Sequence, residues 1–457
     1  MQGCLLEDRP PTAIPISVIQ EESFGEWREH QDEPLQRWIT ATGFRAKPGS
    51  VCLVPKEGTE LGKVLVGIRS PTDPWSLGSL PLTLPQGAYY LDTDWPAEVS
   101  ERAAVGWGLG AYQFTRYKTQ EPSGAQLAIP TGCHVSHVQN QVEAIYLIRD
   151  LINTPAEDMM PEQLADAMVC LGREYGADIQ QFAGDELLTH NFPAIHAVGR
   201  ASQRAPRLVD LRWGEGSHPK LTLAGKGVCF DSGGLDLKTA AGMRLMKKDM
   251  GGAAHALGLA RMVMAAERPV RLRVLVAAVE NAVSGNALRP GDIIRTRTGL
   301  TVEVDNTDAE GRLILCDALA EGAREKPDLM LDFATLTGAA RMALGTDIPA
   351  LFCPDDAMAR ELLTSAEQEQ DPLWQLPLYA PYRELLESKV ADLINSPTTP
   401  YAGAITAALF LREFVPIEIP WAHFDLMAWN TTSRPGRPEG GEAMGVRAVF
   451  RYLMKRF

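Results

Sequence analysis

The segment Asn306-Thr307-Asp308-Ala309-Glu310-Gly311-Arg312-Leu313 sets two acids and one arginine at alternate positions just ahead of a helical pattern. On an extended backbone Asp308, Glu310 and Arg312 would project to one side. Two carboxylates at a helix start can hold a metal ion, leaving Arg312 and free backbone N–H groups to hold an anion. The plainer alternative is an acidic helix cap followed by a solvated arginine. A second cluster shifts the balance towards chemistry. Lys226, Asp231, Lys238 and Asp249 lie in Gly225–Lys238 and Lys248–Gly252, with glycines beside most of them. Gly233-Gly234 and Gly251-Gly252 permit sharp turns or close approach to a ligand. A lysine between glycines is most often a surface turn. Gly225-Lys226 also lacks the upstream glycine and following Ser or Thr of a phosphate loop, so a nucleotide site is rejected.

These groups need a scaffold. Beyond Leu208 the pattern alternates strand and helix: Leu221–Ala224, a helix from Gly252 to Ala266, Leu272–Val279, a helix from Leu313 to Ala323, and Leu329–Phe333. Runs such as Val274-Leu275-Val276-Ala277-Ala278 lack polar alternation, as strands covered on both faces do. In such sheets sites gather where strands end. Upstream, Val51–Val54 and Lys63–Ile68 read as strands joined through Pro55 and Gly58. Interior Gly106, Gly108 and Gly110 weaken a helix suggested by Val105, Leu109 and Tyr112. The stretch holding Pro122, Ser123, Gly124 and Pro130 marks a boundary. Two helices follow, one ending before Asn153-Thr154-Pro155 and one running from Pro161 to Gly176. The expected organisation is α/β: a small N-terminal α/β domain over 1–130, and a larger α/β/α catalytic domain with a central mixed sheet over 131–457.

Together the charged segments resemble the leucyl aminopeptidase (cytosol aminopeptidase) family of two-metal exopeptidases, whose signature the octapeptide at Asn306 matches. The likeness continues through Asn281–Gly285, Arg289–Asp292, Ala334–Gly338, Ala404–Leu411 and Trp421–Asp425. It covers the catalytic region and not the first 130 or so residues. The resemblance implies that Asp231 and Glu310 bridge two divalent cations, zinc or manganese, with Asp308 completing one site and Lys226 and Asp249 the other. Four carboxylates against two dications leave a neutral cluster, provided that Lys226 is deprotonated. It further implies a metal-bridging water or hydroxide as nucleophile, Lys238 stabilising the oxyanion, and a bicarbonate on Arg312 as general base. The resemblance also implies that the backbone carbonyl of Leu336 contacts substrate and that Met246, Thr335 and Gly338 line the first side-chain pocket. Met427 stands where the family commonly has a small alanine, so the pocket is expected to be reshaped and leucine need not be the favoured residue.

Composition agrees with a soluble globular protein, and the resemblance implies that its partners are peptides with a free N-terminus. The 457 residues carry 44 basic and 58 acidic side chains, a net charge of −14, which gives nucleic acid no general attraction. The alternative, a DNA-associated architectural or regulatory oligomer of the same family, is disfavoured on that ground. Phosphoester hydrolysis also suits paired metals, but Lys226 as an apparent ligand favours the peptidase. No stretch reads as a membrane span, and Met1–Arg9 lacks the pattern of a secretory signal, so the expected location is cytoplasmic. Seven scattered cysteines form no Cys-x-x-Cys pair and read as reduced and structural. Cys229 and Cys316 are expected in the core, His134 and His137 as structural, and His423 and Asp425 as satisfied core polar groups. A homo-hexamer is implied by the resemblance alone.

Overall fold

The computed structural model describes residues 3–56, 60–122 and 124–457; Met1, Gln2, Glu57, Gly58, Thr59 and Ser123 lie outside the described residues. Contacts divide the chain into two compact units, Met1–Tyr146 with Thr432–Glu439, and Leu147–Thr431 with Gly440–Phe457. The division falls inside the helix Val135–Asn153.

The first unit is built on a six-stranded sheet in the order Leu5–Leu6, Ala125–Ala128, Gly87–Leu91, Ile14–Gln20, Leu61–Ile68, Val51–Pro55. Only the last pair, the hairpin expected from the sequence, is antiparallel. The helix that glycines seemed to weaken is present over Ala97–Gly110. Packing overrides propensity here. A Cβ on Gly106 would lie 1.7 Å from the Pro74 carbonyl oxygen, and one on Gly110 2.0 Å from that of Gly78. These glycines let the helix touch neighbouring backbone.

The second unit contains an eight-stranded mixed sheet. Its four central strands, Trp421–Asp425, Leu329–Ala334, Lys220–Asp231 and Arg271–Asn281, are parallel neighbours. Ala350–Phe352 and Arg207–Trp213 join them antiparallel on either side. The unbroken apolar runs are fully buried, as double coverage requires. Leucines and alanines of Gly311–Ala323, Pro193–Gly199 and Gly403–Arg412 share one core with these strands. The strand expected over Leu221–Ala224 runs on to Asp231, through Gly225-Lys226-Gly227. That extension carries Lys226 into the buried sheet and Asp231 to its carboxyl edge. Among the described residues, no helix is long and apolar enough to cross a membrane.

Candidate metal centre

Lys226 is a mid-strand residue with 2% of its surface exposed, not the surface turn that its flanking glycines favour. Its Nζ lies 2.7 Å from Asp249 Oδ2 and 3.0 Å from Glu310 Oε1, and donates to the Thr335 carbonyl at 3.0 Å. Asp249 arrives on the short helical turn Met246–Met250, and Thr335 Oγ1 donates to its Oδ1 at 2.7 Å. Glu310 precedes the helix Gly311–Ala323, which it approaches closely enough that Gly311 faces the Lys226 side chain.

Asp231 ends the same strand as Lys226, opposite Asn281 after a break in register. The chain then reverses through Gly233 and Gly234, both left-handed at φ 89° and 66°. A Cβ on Gly234 would lie 2.9 Å from Thr307 Oγ1, so glycine meets both the turn and the close approach. Asp231 Oδ1 accepts from Gly233 N at 2.9 Å and Asn281 Nδ2 at 2.8 Å. The reversal returns Lys238, whose Nζ lies 2.8 Å from Asp231 Oδ2 and also contacts Asp308 Oδ1. Two lysines thus tie four carboxylates into one cluster.

The octapeptide is not extended. Glu310 has helical angles, φ −76° and ψ −34°, and its carboxylate makes no capping bond, so both the one-sided projection and the acidic cap fail. A turn brings the acids together instead, held by Asn395. Its Oδ1 accepts from Asp305 N and Asn306 N at 2.9 and 3.2 Å, and its Nδ2 donates to the Asn306 and Ala309 carbonyls at 2.7 and 3.3 Å. Thr307 N donates to Asp236 Oδ2 at 2.7 Å and Thr307 Oγ1 to the Gly233 carbonyl at 2.6 Å, joining the two motifs. Sequence reasoning gave Asn395, Asn281 and Asp236 no role in the site, although Asn281 opens one of the matching segments. A lone Asn beyond the short strand Leu393–Ile394 carries no pattern that distinguishes it from a turn residue.

The donor set fits divalent cations. Asp231, Asp308 and Glu310 each bring a ligand oxygen within 4.8 Å of the others. Glu310 Oε2 is buried with no donor among the described residues, while Glu310 Oε1, Asp249 Oδ2 and Asp308 Oδ1, equally buried, meet only the lysine ammoniums. Buried carboxylate oxygens without donors are costly unless positive charge faces them. Burial and then Asp231 push the Glu310 carboxyl up to about 8. Burial opposes the Lys226 ammonium, but Asp249, Glu310 and Asp231 outweigh it and raise its pKa. Without cations, the cluster therefore retains protons. Lys226 would become neutral only with cations bound, whose charge would reverse the balance.

Arg312 is buried rather than solvated, with Nη1 donating to the Asn395 carbonyl at 2.6 Å and Nε left without a partner among the described residues. Burial lowers its pKa to about 10. Met246, Thr335 and Met427 are buried, Leu336 is partly buried and Gly338 is exposed. Arg341 Nη1 lies 3.3 Å from Met427 Sδ. Asp425 is fully engaged, accepting from Leu336 N, Thr337 N and Thr337 Oγ1 at 2.9, 3.1 and 2.6 Å. His423 is only half satisfied: Nδ1 pairs with Asp332 at 2.5 Å, and Nε2 has no partner among the described residues. Cys229 and Cys316 are buried and their thiols raised by burial, whereas Cys170 is exposed, so not every cysteine is a core residue.

A family model described as the cytosol aminopeptidase family, catalytic domain, matches residues 146–450. Another, the M17 aminopeptidase N-terminal domain, matches 14–130 and extends the kinship into the region where the motifs showed none. A probable cytosol aminopeptidase of Syntrophotalea carbinolica is 40% identical over 369 residues, 76% of this chain and 73% of the relative. The crystal structure of the Coxiella burnetii cytosol aminopeptidase superposes with a TM-score of 0.97 at 51% identity, covering 99% of each chain. The bottromycin maturation enzyme BotP in complex with Mn superposes at 0.88 with 32% identity, over 97% of this chain and 99% of that one. The chain belongs to the cytosol aminopeptidase family and is an M17-type metallo-exopeptidase.

Proposed function

We propose that the cluster is a two-metal aminopeptidase centre that removes the N-terminal residue from peptides. The observation that carries this reading is the convergence of Lys226, Asp231, Asp249, Asp308 and Glu310, with four carboxylates sharing two ammoniums and Glu310 Oε2 buried without a donor among the described residues. Asp231 and Glu310 would face both cations, Asp308 one, and Lys226 with Asp249 the other. When bound, such a pair supplies Lewis acidity and a water activated near neutral pH.

The remaining chemistry belongs to the side chains. Lys238 is 15% exposed against 3% for Lys226, which supports Lys238 as the ammonium that turns to the scissile carbonyl and stabilises its developing negative charge. Arg312, with Nε unpaired, would hold the bicarbonate that accepts the nucleophile's proton. Asn281, Asn395 and Asp236 fix the acids so that little reorganisation is needed. Zinc or manganese as the metal, the cytoplasm as location and a catalytic domain spanning 131–457 belong to the same proposal, by kinship. So does a homo-hexamer, supported by exposed Met342, Tyr401 and Ile417, apolar groups that copies could cover.

The test is hydrolysis of a leucyl dipeptide and its N-acetyl form before chelation, after it, and after re-addition of zinc or manganese. Metal-restored cleavage of the free amine alone is expected. Equal cleavage of the acetylated substrate, or full activity after the metal is removed, would refute the reading.

A further inference from the structure

Arg341 lies on the helix Gly338–Leu344, one turn beyond Gly338, and its guanidinium turns back over the start of that helix. Nη1 reaches Met427 Sδ at 3.3 Å, and Nη2 would be 3.4 Å from a Cβ on Gly338. No carboxylate lies within ion-pair distance of it among the described residues. Nearby Lys248 is 2% exposed, and its ammonium likewise has neither a carboxylate partner nor a hydrogen-bond acceptor among the described residues. Lys248 is close enough to Arg341 for their charges to repel.

Asp425 also acts on Lys248, and its oxygens accept from the Leu336 and Thr337 amides and the Thr337 hydroxyl rather than from either cation. The neighbouring Asp249 is held by Lys226 and Thr335. With Asp249 set against Lys226, the two cations Arg341 and Lys248 face one carboxylate, Asp425, and neither makes an ion pair with it, so this wall keeps one positive charge in excess, where burial makes an excess expensive. It adjoins the metal centre. Thr335, bonded to Asp249, stands three residues before Gly338, and a Cβ on Gly251 would touch both Thr335 Cγ2 and Ala428 Cβ, the residue after Met427.

We propose that this aminopeptidase selects peptides whose N-terminal residue is acidic, glutamate or aspartate, with Arg341 receiving the side-chain carboxylate and Lys248 adding to the attraction. This rests on the reading of Met246, Thr335, Gly338 and Met427 as the walls of the first side-chain pocket. Met427 closes the space that a small residue would leave for leucine, and its sulfur holds the guanidinium in place.

The test compares kcat/KM for glutamyl, glutaminyl and leucyl dipeptides that share one leaving residue. Glutamate and glutamine have the same shape, so their ratio isolates the charge. The parent is expected to favour glutamyl over glutaminyl by about tenfold or more at low salt, with the ratio shrinking as salt rises. Arg341→Met should bring the ratio towards one and Arg341→Lys should keep part of it. Lys248→Met should lower it. Each ratio is taken on one preparation, so a misfolded fraction cancels. A parent ratio of one or less overturns the proposal, as does a ratio indifferent to both methionine variants. Leucyl cleavage without a glutamyl preference sinks this inference and leaves the aminopeptidase; no cleavage of any substrate sinks both.

Discussion

Replacing Gly311 with alanine tests how the amine of Lys226 is positioned, without touching any proposed ligand. A Cβ at that position would lie 2.6 Å from Lys226 Cε, 2.7 Å from Cδ and 2.8 Å from Nζ. Carbon atoms rest at about 3.5–4.0 Å, so the lysine tip must retreat by about 1 Å. The Lys226 backbone cannot share the movement, because its strand is paired there with Ala277. A shift of that size stretches the 2.7 and 3.0 Å contacts to Asp249 and Glu310 beyond hydrogen-bond length. Misplacing a reacting group by about 1 Å costs on the order of 100-fold in rate. Helix propensity pulls the other way, since alanine is favoured over glycine by up to about 1 kcal/mol. The expected result is a protein that melts within a few degrees of the parent, binds metal more weakly and loses about two orders of magnitude in kcat/KM. Kinetics, metal analysis and a thermal melt measure the three quantities. In a Lys226→Met background the same alanine should add little further loss, because the group it displaces is gone. Parental activity with undiminished metal content in Gly311→Ala would refute the positioning argument.

Three further outcomes follow from other parts of the structure. Asn395→Ala should lower kcat/KM and metal affinity by about 10–100-fold while leaving every proposed ligand in place, and metal titration with steady-state kinetics checks it. His255 is buried neutral, its Nδ1 2.6 Å from the Gly251 carbonyl and its Nε2 accepting from Met444 N at 2.9 Å, and burial lowers its pKa to about 4. The unfolded chain binds this proton from about pH 6.5 downwards and the folded chain does not, so stability should fall by up to about 3 kcal/mol between pH 6.5 and 4, a slope that denaturant melts of His255→Gln should show diminished. Gly106→Ala should destabilise the first unit by about 3 kcal/mol, because its Cβ would collide with the Pro74 carbonyl; an unchanged melt would contradict the close approach.

Residue chemistry made the acids and lysines of the centre legible before their geometry was known. An Asp or Glu beside glycines announces a donor whatever its backbone does, and apolar runs without alternation announce a doubly covered strand. The failures share one cause, which is that local rules carry no knowledge of what packs against a segment. Lys226 between glycines scores as a turn, yet the strand continues because pairing with Arg271–Asn281 outweighs that preference. Alternate charges at Asp308, Glu310 and Arg312 suggest an extended chain, but Asn395, more than eighty residues away, holds them in a turn. Gly106 and Gly110 argue against a helix by propensity and are required by contact. Likewise, nothing in Arg434–Gly441 foretold that most of this Pro/Gly-rich loop would belong with the first unit.

Specificity was the least legible property, and Arg341 shows why. Resemblance points to pocket positions one by one, so Gly338 and Met427 can be named from motifs. The guanidinium that reaches both comes from a residue outside those motifs. Three residues along a helix bring two positions onto one face, so the space left by the absent Gly338 side chain is available to Arg341. A β-carbon at 338 would only touch Nη2 at 3.4 Å, but any longer side chain would compete for the same volume. A small residue that reads as room for substrate therefore also makes room for the protein's own charge. Which of the two uses prevails depends on partners, and Arg341 has no acid to draw it elsewhere among the described residues. Motif matching can place the walls of such a pocket, while its sign follows only from counting the charges that face it.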